Sequence, residues 1–133
     1  MTSTIFGGCL CGAIRYQINQ VKIDVSLCHC LSCRKATGSA GVSWLIVARQ
    51  NLIFIKGRPR SFQSSQKVLR TFCPNCGTSL TYQHEDIPAT IDVTTATLDN
   101  PEDYPPTEEV WLSDKLEWES IHKEIPLHFE DSP

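Results

Sequence analysis

All seven cysteines of the chain fall in three short runs, Cys9-x-Cys11, Cys28-x-Cys30-x2-Cys33 and Cys73-x2-Cys76. Thiols at this spacing are metal knuckles by pattern, since one tight turn brings both sulfurs to the same soft ion. A structural zinc fills all four of its positions with protein ligands. Cys9, Cys11, Cys73 and Cys76 are the best partners for such closure: both pairs run into a glycine and both sit beside strand-like segments. Cys28, Cys30 and Cys33 are then one thiolate short. A zinc held by three protein ligands keeps a position for water or substrate, so chemistry is expected at this second site. Arg34 and Lys35 follow at once, and positive charge there favours thiolates and offsets their summed negative charge.

His29 lies between two expected ligands. It is read as pointing away from the ion, at the surface or as a hydrogen-bond donor behind the ligands, with a role as fourth ligand as the alternative. His84, His122 and His128 stand in no ligand spacing and read as ordinary polar residues. Ser32 and Ser39 have no base partner in sequence, and Asp24, Asp86 and Asp92 are isolated carboxylates that form neither an acid/base pair nor a hard-metal cage. Trp44, Trp111 and Trp118 read as core or groove walls. A thiol–disulfide enzyme using Cys30 and Cys33 is the weaker reading of the second cluster, because Cys28 would recruit metal.

The elements that must position these residues are mostly strands. Ala13 to Ile18 alternates apolar and polar residues and Val21 to Val25 continues the pattern, which predicts a hairpin with the first cysteine pair at its mouth. Ser32 to Thr37 predicts one helical turn stopped by Gly38. Val42 to Val47, Leu52 to Lys56, a strand around Phe62, Val68 to Phe72, Leu80 to Tyr82 and Ala89 to Thr94 complete the strand set, with Cys73 to Gly77 as a knuckle at a hairpin tip. Asn100 to Pro106, with three prolines, predicts a loop that packs over the body or borders the site. Ser113 to Ile121 predicts a short helix capped by Ser113, and the tail from Glu124 an edge strand or a flexible end. The expectation is one mainly β domain over residues 1–133.

Size and composition agree with that. A chain of 133 residues with 41% apolar and 20% charged residues is an ordinary globular composition, and its small core gains from metal cross-links. A net charge of −3 with a basic group no larger than Lys56, Arg58 and Arg60 argues against a nucleic-acid partner. No run approaches the roughly 20 apolar residues of a membrane span. Residues 1–8 lack a basic region followed by a long apolar one, so no secretory signal is expected. The compartment expected is then the reducing cytoplasm, where an odd number of paired-knuckle cysteines means metal thiolates, not disulfides.

The ordered set Gly8-Cys9-x-Cys11-Gly12, Arg15-Tyr16, Cys28-His29-Cys30-x2-Cys33-Arg34-Lys35-x2-Gly38 and Phe72-Cys73-x2-Cys76-Gly77 resembles the glutathione-dependent formaldehyde-activating (GFA, or centromere-protein-V-like) family. The resemblance is strongest over residues 7–98. It implies a zinc-binding β fold related to the Mss4-like barrels, a closed zinc on Cys9, Cys11, Cys73 and Cys76, and a second zinc on Cys28, Cys30 and Cys33 where glutathione and its formaldehyde adduct bind. The implied activity is a carbon–sulfur lyase or synthase making or breaking S-(hydroxymethyl)glutathione. Cys28, Cys30 and Cys33 become the candidate catalytic residues, and Arg34 and Lys35 the candidate contacts for the carboxylates of a small thiol such as glutathione. After the proline-rich loop, where many relatives carry a basic residue, this chain has Glu108 and Glu109, expected as acids on a substrate wall that repel a dianionic thiol. The alternative is a non-catalytic structural or protein-binding zinc module.

Overall fold

The computed structural model of the protein describes residues 4–131. It is a mainly β structure of two sheets joined by short helical turns. One sheet is antiparallel and three-stranded, with β1 (Thr4–Gly8), β2 (Arg15–Asn19) and β5 (Leu52–Lys56) in the order β1-β2-β5. The other is built from β3 (Asp24–Cys28), β4 (Val42–Ala48), β6 (Arg60–Ser65), β7 (Val68–Phe72), β8 (Ser79–His84), β9 (Thr90–Thr94) and β10 (Glu108–Val110). Its order is β10-β3-β4-β9-β8-β7-β6, antiparallel throughout except for the parallel β3–β10 pair.

The period-2 pattern decides which faces meet. In β2, Tyr16 and Ile18 are buried while Arg15, Gln17 and Asn19 are not, and in β9 Ile91 and Val93 are buried on one face. Tyr16, Ile18, Val25, Leu45, Val47, Leu80 and Val93 form one core shared by both sheets, and Cys9 and Cys73 belong to it. Fully burying each aliphatic member contributes about 1.5–3 kcal/mol. A second, smaller cluster of Cys28, Cys33, Val42, Trp44 and Val110 lies beyond β4. The Tyr16 hydroxyl is satisfied by Thr97 Oγ1 at 2.7 Å, and burial pushes its pKa up to about 12.

Most expected strands are present, but one pairing differs. Residues 13–18 and 21–25 do not form a hairpin. β2 lies between β1 and β5, whereas β3 lies between β4 and β10 in the other sheet. Only four residues, Gln20 to Ile23, separate the end of β2 at Asn19 from the start of β3 at Asp24, too few for sequence alone to show that the chain changes sheet there. The first cysteine pair sits instead at the tip of the β1–β2 hairpin, whose first strand β1 is short and ends in glycine. The expected helix over 113–121 is absent. A single 3-10 turn, Leu112–Asp114, stands in its place. The carbonyls of Leu116 and Glu119 both accept from the Lys115 ammonium at 2.8 Å. The proline-rich loop does pack over the body, through Tyr104 against the main core. The tail also finds an edge: Glu109 N–H donates to the Pro126 carbonyl at 3.0 Å and His128 N–H to that of Glu109 at 2.9 Å, so residues 126–129 extend the sheet beside β10.

Candidate metal centres and active site

The four-cysteine set is made by two hairpin tips from different sheets. Cys9 and Cys11 lie in the β1–β2 connection and Cys73 and Cys76 in the β7–β8 connection. Their four sulfurs lie within 4.8 Å of one another, with Cys9–Cys11 at 3.6 Å and Cys11–Cys73 at 3.8 Å. A tetrahedral ion with bonds of about 2.3 Å to sulfur requires sulfurs about 3.8 Å apart, so the set fits zinc. Donors surround it as thiolates require. Ile14 N–H donates to Cys9 at 3.2 Å, the Asn75 and Cys76 N–H groups each to Cys73 at 3.4 Å, and the Asn75 side-chain amide to Cys11 at 3.2 Å. Hydrogen bonds from Thr78 lower the Cys76 pKa to about 5, while burial raises that of Cys73 to about 11. Gly77, at φ 81°, closes the knuckle in a conformation other residues resist. Filled, this site staples one sheet to the other.

The second set is built where β3 gives way to α1 (Leu31–Thr37). Cys28 is the last residue of β3, Cys30 is the N-cap of α1 and accepts from Cys33 N–H at 3.3 Å, and Cys33 is buried in the first turn. Gly38, at φ 73°, ends the helix as expected. The three sulfurs again lie within 4.8 Å of one another. Hydrogen bonds from Cys28 and Cys33 hold Cys30 well below the usual thiol range. Cys28 is pushed up by donating to Cys30 and Cys33 and by burial. Three sulfurs with one open side suit a metal that retains an exchangeable position.

His29 is not a fourth ligand. Its ring is fully buried, and Nε2 lies 2.6 Å from Glu109 Oε1. Glu109, also fully buried, bonds through Oε2 to His122 Nδ1 at 2.9 Å and to the His122 backbone N–H. Burial pushes the Glu109 carboxyl up, but the hydrogen bonds from His122 and His29 prevail and hold it below its ordinary value. The expected pair of wall acids therefore separates. Glu109 turns inward to brace the ligand loop, and only Glu108 lines the cavity. His122, read as an ordinary polar residue, is part of that brace.

The cysteine trio opens into a cavity of about 600 Å³ lined also by Trp44, Tyr82, Asp92, Glu108 and Trp111. Trp111 reaches it from a left-handed backbone, φ 58°, that turns the chain out of β10. The resulting turn sets Asp114 Oδ2 to accept from the N–H of Leu31 at the start of α1, at 3.1 Å. Burial raises the Asp92 carboxyl to about 7, with a smaller push from the charge of Asp131. Arg70, buried on β7, points both terminal nitrogens at Cys33 Sγ, at 3.8 and 3.7 Å. Neither stood out from sequence. The readable signal for Arg70 was its strand phase, a charge at the inward position between Leu69 and Thr71.

Arg34 and Lys35 part company. The Arg34 guanidinium donates to the backbone carbonyls of His29 and Asp114, both at 3.4 Å, and lines neither cavity. Lys35 lines an adjoining groove of about 680 Å³ with Phe62 and Phe72, and that groove shares Trp44, Ser64 and Arg70 with the thiol cavity. Among the described residues no helix is long and apolar enough to cross a membrane.

A family model described as "Glutathione-dependent formaldehyde-activating enzyme" matches residues 4–114. The chain belongs to this family. The match takes in all seven cysteines, Arg70, Asp92 and β10, and stops short of the segment that supplies His122. The chain also resembles, in fold, the crystal structure of a Rhodobacter sphaeroides protein, with a TM-score of 0.60 and 24% identity over 74% of this chain and 93% of that one. No curated protein matches the chain.

Proposed function

We propose that the protein is a zinc-dependent carbon–sulfur lyase or synthase acting on a thiol–aldehyde adduct of the S-(hydroxymethyl)glutathione type. The observation that carries the reading is the three-thiol set, clustered for metal yet open to a cavity of about 600 Å³. Family membership supports it. Cys9, Cys11, Cys73 and Cys76 would hold one zinc and Cys28, Cys30 and Cys33 the other, where the ion supplies a Lewis acid that favours thiolate over thiol. The fold is read as Mss4-like and as one domain over residues 1–133, supported by the core common to both sheets. Seven cysteines outside any disulfide, all assigned to metal, suit a reducing compartment such as the cytoplasm.

In the synthetic direction the cavity holds a thiol beside a small aldehyde, and proximity accelerates their addition. The thiol gives its proton to the Asp92 carboxylate. The sulfur lone pair forms the C–S bond to the carbonyl carbon, the C=O π pair moves to oxygen, and that oxygen takes the proton back from Asp92. Thiol plus aldehyde thus gives the hydroxymethyl thioether with nothing left over, and cleavage is the reverse. A carboxyl near 7 populates both protonation states this shuttle needs. Lys35, which lines the adjoining groove, would meet a carboxylate of the thiol.

Exchange NMR of formaldehyde with glutathione, cysteamine and 2-mercaptoethanol tests the reading. Adduct exchange above the uncatalysed rate for at least one thiol, lost in Cys30→Ala, is expected. No acceleration with any thiol, in protein holding two zincs, would replace it with the non-catalytic zinc module.

A further inference from the structure

Arg70 is 8% exposed, yet among the described residues it forms no ion pair with a carboxylate. Its three polar contacts are specific. Nε donates to Ser64 Oγ on β6 at 3.0 Å, and Nη1 and Nη2 both point at Cys33 Sγ. The guanidinium also lies over the Tyr82 ring on β8, 5.0 Å from its centroid. β6, β7 and β8 therefore all fix one cation against one sulfur. A buried charge without a partner is strongly unfavourable, so such an arrangement persists only where a counter-charge faces it. The facing group is the cysteine trio.

We propose that Arg70 is a positioning residue that orients Cys33 and places a fixed positive charge beside the Cys28–Cys30–Cys33 set, and so determines whether the second metal stays bound. The inference rests on the two-site metal reading above and adds to it the residue on which the second site depends. Three thiolates outweigh the two charges of a zinc ion, and a fourth thiolate brought by a substrate would deepen the excess. A fixed cation at Cys33 offsets it without taking a ligand position. The forked guanidinium meets the sulfur with two N–H groups, which a lysine ammonium cannot do in the same geometry. β7 also leads directly into the Cys73–Cys76 knuckle, so the hairpin that the structural zinc would clasp is the one that presents Arg70.

The test measures metal, not turnover. The full chain is stripped and reloaded with Co²⁺ after one equivalent of Zn²⁺, and the second site is followed by its sulfur-to-cobalt charge-transfer band under chelator competition. Wild type, Arg70→Met and Arg70→Lys are compared, with melting temperature as the control for folding. Loss of a partner that orients a metal ligand typically weakens metal binding about 10–100-fold. Arg70→Met is expected to keep the first metal and weaken the second by that factor, with Arg70→Lys recovering part of the loss. If Arg70→Met does not fold, Arg70→Gln, which retains a donor for Ser64 without the charge, takes its place under the same criterion. A folded neutral variant that binds the second Co²⁺ as tightly as wild type overturns the inference. A wild type that takes no second metal at all overturns instead the two-site reading beneath it.

Discussion

Replacing Asp92 by Asn should stabilise the protein, by an amount that grows as pH rises from about 4 to about 7 and is constant above it. Asp92 sits in β9 opposite Ile46 and Tyr82, on the sheet face turned from the main core, with its side chain lining the thiol cavity. Burial raises its carboxyl from 3.8 to about 7. A proton held that much more tightly by the folded state corresponds to roughly 4 kcal/mol of destabilisation once the group is ionised. The sign follows from the protons bound. Between pH 3.8 and about 7 the unfolded chain has released this proton and the folded chain has not, so stability falls with rising pH across that window and is flat above it. Asn has the same shape and no charge to bury at any pH. Over pH 5.5 to 8.5, where thiolate–zinc sites stay loaded, the advantage of the variant should therefore grow by about 2 kcal/mol, of the roughly 4 kcal/mol total. With a urea dependence of about 2 kcal/mol per molar, the midpoint difference widens by about 1 M. The assay is urea unfolding of the zinc-saturated proteins, followed by tryptophan fluorescence. Both proteins carry the same cysteines, so their titration cancels in the difference. Midpoints that run parallel across the window would refute a buried, proton-holding Asp92 and remove the shuttle with it.

Two further perturbations separate the staple from the brace. Cys73→Ala opens the four-cysteine site, and since a structural zinc contributes about 10–16 kcal/mol against a total stability of about 5–15 kcal/mol, the variant should be largely unfolded. Unchanged circular dichroism and melting would contradict that role. Glu109→Ala leaves His29 buried without its carboxylate and should cost about 3–5 kcal/mol in chemical denaturation at pH 7. Glu109→Gln should cost less, because one hydrogen bond survives. Because the folded Glu109 carboxyl is held below its ordinary 4.5, its contribution is complete above that pH and is lost as pH falls through the folded value, so wild type and Glu109→Gln should converge in acid.

The division of seven thiols into four and three was legible because metal knuckles are local: two or three residues fix which sulfurs share a turn. The strands around Val42 to Val47 and Ala89 to Thr94 were legible for a similar reason, period-2 burial being written in consecutive residues. The helix over 113–121 did not form: only a 3-10 turn, Leu112–Asp114, stands there, and the Lys115 ammonium takes the Leu116 carbonyl, a side-chain contact that a pattern of apolar residues does not carry.

The ligand chemistry is readable in the chain alone: soft donors in turns, one set complete and one set short, in a mainly β sequence. What surrounds the incomplete set comes from the packing of distant strands. Arg70 is 37 residues from Cys33, and His29 is 80 from Glu109, yet the sheet order places each within reach of its partner. Adjacency in sequence pointed to Arg34, which proved to be bound to backbone carbonyls. The reason is physical. A ligand pair needs only one turn of backbone, but a buried charge is placed by whichever strands pack against it, and that is settled only when the sheets close.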